Sequence, residues 1–320
     1  MKSEETTRLL PSNAQKERLK FPLGLVSPTV RPYLELIRFE KPTGTILMFW
    51  PFAWGLTMAA YREQLPLDVY AFDLVKCLFS AFIVRSSACT INDIFDRKMD
   101  AAQAERCRTR PLASGRISVF AATTYLLVQY AIGIVFFYAN LRDLAFAHSL
   151  HSFMIYPLLK RCTHWPQAWL GLAMNFGLIA SWVAITGSLD SKVIGAGVTS
   201  CWGWTMLYDT IYACQDIKDD IKVGVRSTAI LWGAWIRPLL VGCGLMFLAF
   251  FALAGYLNNQ GPAFFVASIG GLAFHLIYQY CTVDLEVPKS CGDNFIGNGR
   301  MGAIIWAGLM LDYLHSLGKF

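Results

Sequence analysis

Charge is scarce in this chain. Only 16% of its 320 residues are Asp, Glu, Lys or Arg, against roughly 25% in an average soluble domain. Histidine is scarcer, with five residues and no HExxH. The nine cysteines are scattered and odd in number, and none stands in a CxxC pair. These absences argue against a zinc site or a disulfide framework and leave most thiols as small apolar packing groups. No basic stripe alternates with aromatics and no nucleic-acid motif is present, so the formal charge of +6 does not imply a nucleic-acid partner. No soluble domain or long linker is visible.

Apolar residues are abundant, at 55%, with a mean hydropathy of +0.42. That balance reads as a multi-pass membrane protein rather than two soluble domains. Nine apolar spans can be placed at about 43–61, 70–91, 117–138, 143–158, 166–187, 192–213, 234–256, 261–282 and 301–316. Each is long enough, or nearly so, for a bilayer core of about 30 Å. His148 and His151 in the fourth span are expected to face inward or lie at the interface rather than bind a ligand. With the N-terminus inside, the inner loops carry thirteen Lys or Arg, whereas the outer loops carry Arg62, Arg142 and Lys192. This positive-inside bias places both acidic motifs described below on the cytosolic side.

Residues 1–36 read as a cytosolic polar tail and 37–320 as one membrane domain. The tail has no apolar h-region, and its early Glu4 and Glu5 fit a mitochondrial presequence poorly. An endomembrane location is therefore expected over the mitochondrial inner membrane. Glu5 to Leu10 has the form of an acidic dileucine sorting signal.

Two acidic motifs follow long apolar segments: NDIFDRKMD at 92–100 and YDTIYACQDIKDD at 208–220. Carboxylates at a membrane boundary are expensive and usually functional. Asn92, Asp96 and Asp100 follow an i, i+4, i+8 spacing, which puts them near one helical face. Asn92 and Asp96 can share a divalent ion, with Asp100 one turn further out. Asp216 and Asp220 repeat the i, i+4 spacing, and Asp209 lies seven residues earlier. Hard oxygens of this kind suit Mg²⁺ with room for water and phosphate oxygens. Asp93 and Asp219 fall off the shared face and are read as helix caps or solvated charges. One such motif alone would be an ordinary acidic loop; two at the same membrane face point to a lipid diphosphate as substrate.

Basic residues follow each motif. Arg110 lies in RTRPLASG (108–115), and Lys222 and Arg226 lie in KVGVRST (222–228). Guanidinium forks match phosphate oxygens, although positive loops also orient any membrane protein. Tyr156 and Lys160, at i, i+4, can engage a phosphate oxygen or stabilise a cation, or serve as an interfacial anchor. Arg38 precedes the first span and is either an entry flank or a contact for an anionic acceptor.

Taken in order, RFEKPTG (38–44), RSSACTINDIFDRKMD (85–100), ERCRTRPLASG (105–115), YPLLKR (156–161) and the stretch from Tyr208 to Ile230 resemble the UbiA superfamily of intramembrane aromatic prenyltransferases. The likeness is to 4-hydroxybenzoate polyprenyltransferases and their fungal secondary-metabolism relatives. It implies an all-α bundle of about nine transmembrane helices around a central cavity open to lipid. It implies Mg²⁺ held by Asn92 and Asp96 on one side and by Asp216 and Asp220 on the other. By the same resemblance Tyr156, Lys160 and Asp209 serve catalysis, and Arg38 lies near the aromatic acceptor. Lys98 stands where relatives often carry an acid, Cys107 replaces a common Thr, and Ala88 takes a frequent Gly position. None of these removes an implied metal ligand.

The expected reaction is Mg²⁺-dependent transfer of an isoprenyl group, farnesyl in the favoured reading, from its diphosphate to a ring carbon of a polyketide-derived phenol. The alternative is 4-hydroxybenzoate prenylation for ubiquinone. A transporter would carry charges deeper within its spans, and a membrane scaffold would not need the four ligand positions together.

Overall fold

The computed structural model describes residues 21–102, 105–141 and 147–319; the side chains of 105, 106, 141, 147–152 and 154 lie outside that description. The Glu5–Leu10 sorting-signal reading, Arg142 and the imidazoles of His148 and His151 therefore fall outside the described residues. The helices run α1 Arg31–Leu36, α2 Thr43–Glu63, α3 Leu67–Ala102, α4 Glu105–Arg108, α5 Val119–Leu141, α6 Ala147–Cys162 and α7 Pro166–Ala173. They continue with α8 Phe176–Thr186, α9 Ser191–Ala213, α10 Ile217–Val223, α11 Thr228–Trp232, α12 Ile236–Leu257, α13 Gly270–Thr282 and α14 Pro288–Ser316. No strand occurs among the described residues.

The expected all-α membrane fold is present, and the described residues of the expected spans are helical, some in pieces joined end to end. Four stretches are long and apolar enough to cross a bilayer by length and composition: Val119–Asn140, Pro166–Thr186, Thr228–Leu257 and Phe264–Thr282. The helices pack around a largely apolar interior that holds buried polar groups, with an apolar exterior. On α5, Leu127, Ile132, Val135 and Tyr138 are exposed, as lipid-facing residues should be. Inside, Thr57, Ser87, Thr90, Ser181 and Ser200 are buried, and each donates its hydroxyl to a backbone carbonyl. Where lipid offers no hydrogen bonds, internal satisfaction of this kind is obligatory.

Helix α2 is the central post, buried almost all round between Leu47 and Ala60. Trp54 packs against Trp204 of α9 at 4.9 Å between ring centroids and against Phe251 of α12 at 5.3 Å. The α2–α8 crossing is closed by reciprocal small residues. A Cβ on Gly55 would lie 2.5 Å from the Leu178 carbonyl, and Gly177 is covered by the Phe52 ring. Small residues let membrane helices approach to backbone contact.

Three element boundaries differ from those expected. Helix α3 does not stop at residue 91 but runs unbroken for 36 residues, because no Gly or Pro interrupts 67–102. The first acidic motif therefore forms the last turns of α3. The fifth span is split at Met174–Asn175, where Asn175 Nδ2 bonds the carbonyls of Gly171 and Cys201 and the Thr205 hydroxyl. The ninth span starts well before 301, at Pro288, a residue suited to a first helical turn.

The end of the bundle opposite the motifs is held by polar ties. Arg62 pairs with Asp190 at 2.8 Å, and Tyr61 donates to the Asn259 carbonyl at 2.9 Å. Asp312 accepts from Gln260 and from the Gly261 amide, both at 2.7 Å.

Candidate active site

Helix α3 supplies the floor of the site. Asp93, Asp96 and Asp100 are all buried on it. The Oδ1 atoms of Asn92 and Asp96 are buried and accept no hydrogen bond among the described residues. A buried oxygen without a hydrogen bond is costly, and these two residues lie one turn apart on α3.

Helix α6 brings the first cations. Lys160 Nζ lies 3.5 Å from Asp96 Oδ2, and Arg161 lies 3.6 Å from Asp96 Oδ1. The same ammonium sits 4.4 Å from the centroid of the Tyr156 ring. The i, i+4 spacing read from the sequence thus gives a real contact. Asp209, on α9, accepts a hydrogen bond from Gln167 and lies in the field of Lys160 and of Arg85. The structure therefore gathers Asn92, Asp96, Tyr156, Lys160 and Asp209 into one locus.

Arg85 was not singled out from the sequence. It sits on α3 seven residues before Asn92, hence on the same face, and it acts electrostatically on both Asp209 and Tyr156. Its guanidinium lies so close over Gly44, at the start of α2, that a Cβ there would collide with it. A signal was available: the other two charges in the span 70–91, Asp73 and Lys76, pair with each other at 2.9 Å, leaving this Arg to be explained.

Asp93 corrects a sequence reading. It is neither a cap nor a solvated charge. It is 1% exposed and pairs with Arg38 at 2.6 Å and with Arg110 at 3.6 Å. Arg110 Nη1 in turn lies 2.8 Å from both carboxylate oxygens of Asp100. Arg38 and Arg110 thus belong to one buried Arg–Asp network beside the oxygen pair. Burial lowers the pKa of both guanidiniums, but their carboxylate partners outweigh it and raise each above the ordinary Arg value. Arg38 also takes a left-handed backbone (φ 59°), a conformation that persists where surroundings over-determine it. Its contacts to the Glu35 carbonyl and to Asp93 do so here.

The second motif is not one continuous helix. After α9 ends at Ala213, a 3₁₀ turn at Cys214–Asp216 intervenes before α10. The tighter winding rotates Asp216 relative to Asp209, so their seven-residue spacing is not a simple two-turn stack. Asp220 is buried in the first turn of α10. Asp219 is a surface charge paired with exposed Lys222 at 3.0 Å. Arg226 docks the loop onto α6: its amide bonds the Lys160 carbonyl at 2.9 Å and its guanidinium bonds the Cys162 carbonyl at 2.8 Å. It therefore satisfies the open carbonyls at the end of α6. The link from the second motif to the first runs through Lys160. Outside this junction lies a groove of about 590 Å³ lined by Phe95, Arg97, Lys98, Arg161 and Gly224.

Among the described residues, no three His, Cys, Asp or Glu side chains form a ready metal cage. The donor chemistry still fits Mg²⁺, which binds through one or two carboxylates and keeps its other positions for water and phosphate.

The UbiA prenyltransferase family model matches residues 48–306, which include both motifs. The chain belongs to the UbiA prenyltransferase family. The expectation of an aromatic prenyltransferase is borne out at this level by its relatives. It is 42% identical over 294 residues to the UbiA prenyltransferase claS of Ampulloclitocybe clavipes, covering 90% of this chain and 93% of that one. It is 37% identical over 295 residues to the mitochondrial 4-hydroxybenzoate polyprenyltransferase of Drosophila melanogaster, covering 92% and 74%. The fold matches that of a UbiA homologue from Archaeoglobus fulgidus bound to GPP and Mg²⁺, with a TM-score of 0.63, 17% identity, and 88% and 99% coverage. This UbiA member is an integral membrane protein.

Proposed function

We propose that the protein transfers an isoprenyl group of farnesyl length from its diphosphate to a ring carbon of a phenolic, polyketide-derived acceptor, in secondary metabolism of the meroterpenoid kind. The observation that supports prenyl transfer is the pair of buried oxygens on Asn92 and Asp96 that accept no hydrogen bond among the described residues, beside Lys160, Arg161 and the Tyr156 ring. Asn92 and Asp96 on one side, and Asp216 and Asp220 on the other, would hold Mg²⁺, with Asp100 as a further ligand position. Bound there, the metal would neutralise diphosphate charge as the allylic C–O bond breaks.

The chain's own groups do the rest. Lys160 presents its ammonium to the leaving diphosphate, and the Tyr156 ring beneath it holds that ammonium in place. Arg85 and Asp209 position the same end of the donor. Arg110, Lys222 and Arg226 supply positive charge at the mouth, and Arg38 orients the acceptor. The apolar interior keeps water from the allylic cation. The ring carbon attacks, and proton loss restores aromaticity. We place the motifs and the N-terminus on the cytosolic side of an endomembrane, in keeping with the loop charges.

Support for the secondary-metabolic acceptor is the 42% identity to claS over nearly the full length of both proteins. A second reading, 4-hydroxybenzoate prenylation for ubiquinone, is favoured by the 37% identity to the Drosophila enzyme. Product mass spectrometry decides. Purified protein with Mg²⁺ is offered geranyl, farnesyl and longer diphosphates against orsellinic acid and 4-hydroxybenzoate. A farnesylated orsellinic-type product without a 4-hydroxybenzoate product supports the proposal. A long-chain 4-hydroxybenzoate product replaces it with the second reading.

A further inference from the structure

A second polar cavity, of about 350 Å³, lies between α13 and the first half of α14. His275, Tyr278 and Thr282 line it from one face of α13; Lys289, Asp293, Gly297 and Arg300 line it from one face of α14. It is not the prenyl-transfer site. The opposite face of α14 packs on the second acidic motif, with Phe295 at 4.4 Å from the Tyr212 ring and Gly292 against Gln215. The helix separates the two.

We propose that this groove binds the phosphate of an anionic phospholipid headgroup. Arg300 finds neither a carboxylate nor a hydrogen-bond acceptor among the described residues, and its guanidinium hangs over Gly297, whose Cβ would lie 3.7 Å from Nη2. His275 is 9% exposed, makes no hydrogen bond among the described residues, and lines the groove together with Arg300. An anion seated in the groove that both line would pair with the guanidinium and accept a hydrogen bond from the imidazole. Lys289 stands at the rim, where Asp293 partly neutralises it at 2.5 Å. The first turn of α14 adds its positive dipole end.

The flanks select a lipid over a free ion. Phe274 and Ile277 on α13 and Ile296 on α14 are exposed beside the groove and offer a path for acyl chains. Arg300 stands one residue before the apolar stretch from 301 and lines the same groove as Lys289 and Asp293. Basic pockets between membrane helices are a recurrent headgroup site. A phosphate seated here would hold α14 against the loop that carries Asp216.

The test uses the full chain in phosphatidylcholine nanodiscs with and without phosphatidylglycerol, read by retained lipid in native mass spectrometry and by melting temperature. Wild type retains phosphatidylglycerol preferentially. Arg300→Gln weakens that preference roughly fivefold, the loss expected for one basic side chain at an anionic surface, and Arg300→Lys restores much of it. Lys289→Gln, a change at an 84% exposed side chain that does not threaten folding, weakens it to a lesser extent. Equal preference in wild type and both Gln variants overturns the proposal. So does Arg300-dependent stabilisation by inorganic phosphate or farnesyl diphosphate without any by phosphatidylglycerol. Prenyl transfer measured in lipid-free detergent serves as the folding control and keeps this test separate from that of the proposed reaction.

Discussion

Asp93 is the most consequential charge in the molecule that no reaction step uses. It is 1% exposed and pairs with Arg38 at 2.6 Å, while Arg38 is 17% exposed. Removing one partner of a buried ion pair costs about 3–5 kcal/mol, since the other charge is left unpaired. Asp93→Ala strands Arg38, which keeps some contact with water, so the lower end, about 3 kcal/mol, is expected. Arg38→Ala costs less, about 1–2 kcal/mol, because Arg110 at 3.6 Å still faces Asp93. The double variant should destabilise by less than the sum, with a coupling of about 1.5 kcal/mol or more. Denaturation in detergent gives the stability of all four proteins, and acceptor KM is measured alongside. If Arg38 also orients the acceptor, only variants lacking Arg38 raise KM. Strictly additive stabilities, or an Asp93→Ala protein as stable as wild type, would refute the network.

Other outcomes follow from single features. Asp96→Ala and Asp216→Ala should each lower turnover by at least ~100-fold while the protein remains inserted and monodisperse; full activity in either sinks the metal assignment. Asp190 caps α9 by accepting from the Lys192 and Val193 amides, so Asp190→Ala should cost about 1 kcal/mol. The hydrogen bond from Arg62 holds the Asp190 carboxyl below its ordinary pKa. Its stabilisation is therefore present above the unfolded value of about 3.9 and lost as pH falls through the lower folded value. The gap between wild type and Asp190→Ala, followed by thermal unfolding across pH, should hold at pH 6 and close in acid. Gly55→Ala drives a methyl into the Leu178 backbone and should destabilise by about 1–3 kcal/mol, seen as a lower melting temperature.

The spans were legible because apolar runs of bilayer length have few other uses, and the nearness of Tyr156 to Lys160 was legible because i, i+4 side chains on a helix meet. What stayed hidden was pairing across distance. Asp93 looked like a surface residue because it lies off the Asn92–Asp96 face, yet the segment before α2 folds back to bury it under Arg38. Arg85 could stand out only as the charge of its span outside the Asp73–Lys76 pair, and its place over Gly44 became visible in the fold. Arg226 read as a phosphate contact, and its guanidinium also bonds the Cys162 carbonyl at the end of α6, a use no local spacing encodes. The 3₁₀ turn at Cys214–Asp216 lacks the Gly or Pro that usually announces a change of winding.

An unbroken α3 is a rigid rod. Its 36 residues measure about 54 Å, well beyond a hydrocarbon core of about 30 Å. The expected span 70–91 and the segment that carries Asn92 and Asp96 are one body, so tilt is transmitted along it without a hinge. Helices answer bilayer thickness by tilting. A thicker or thinner membrane should therefore shift the reacting groups relative to α6 and α9, and turnover should depend on acyl-chain length even where the substrates are held constant.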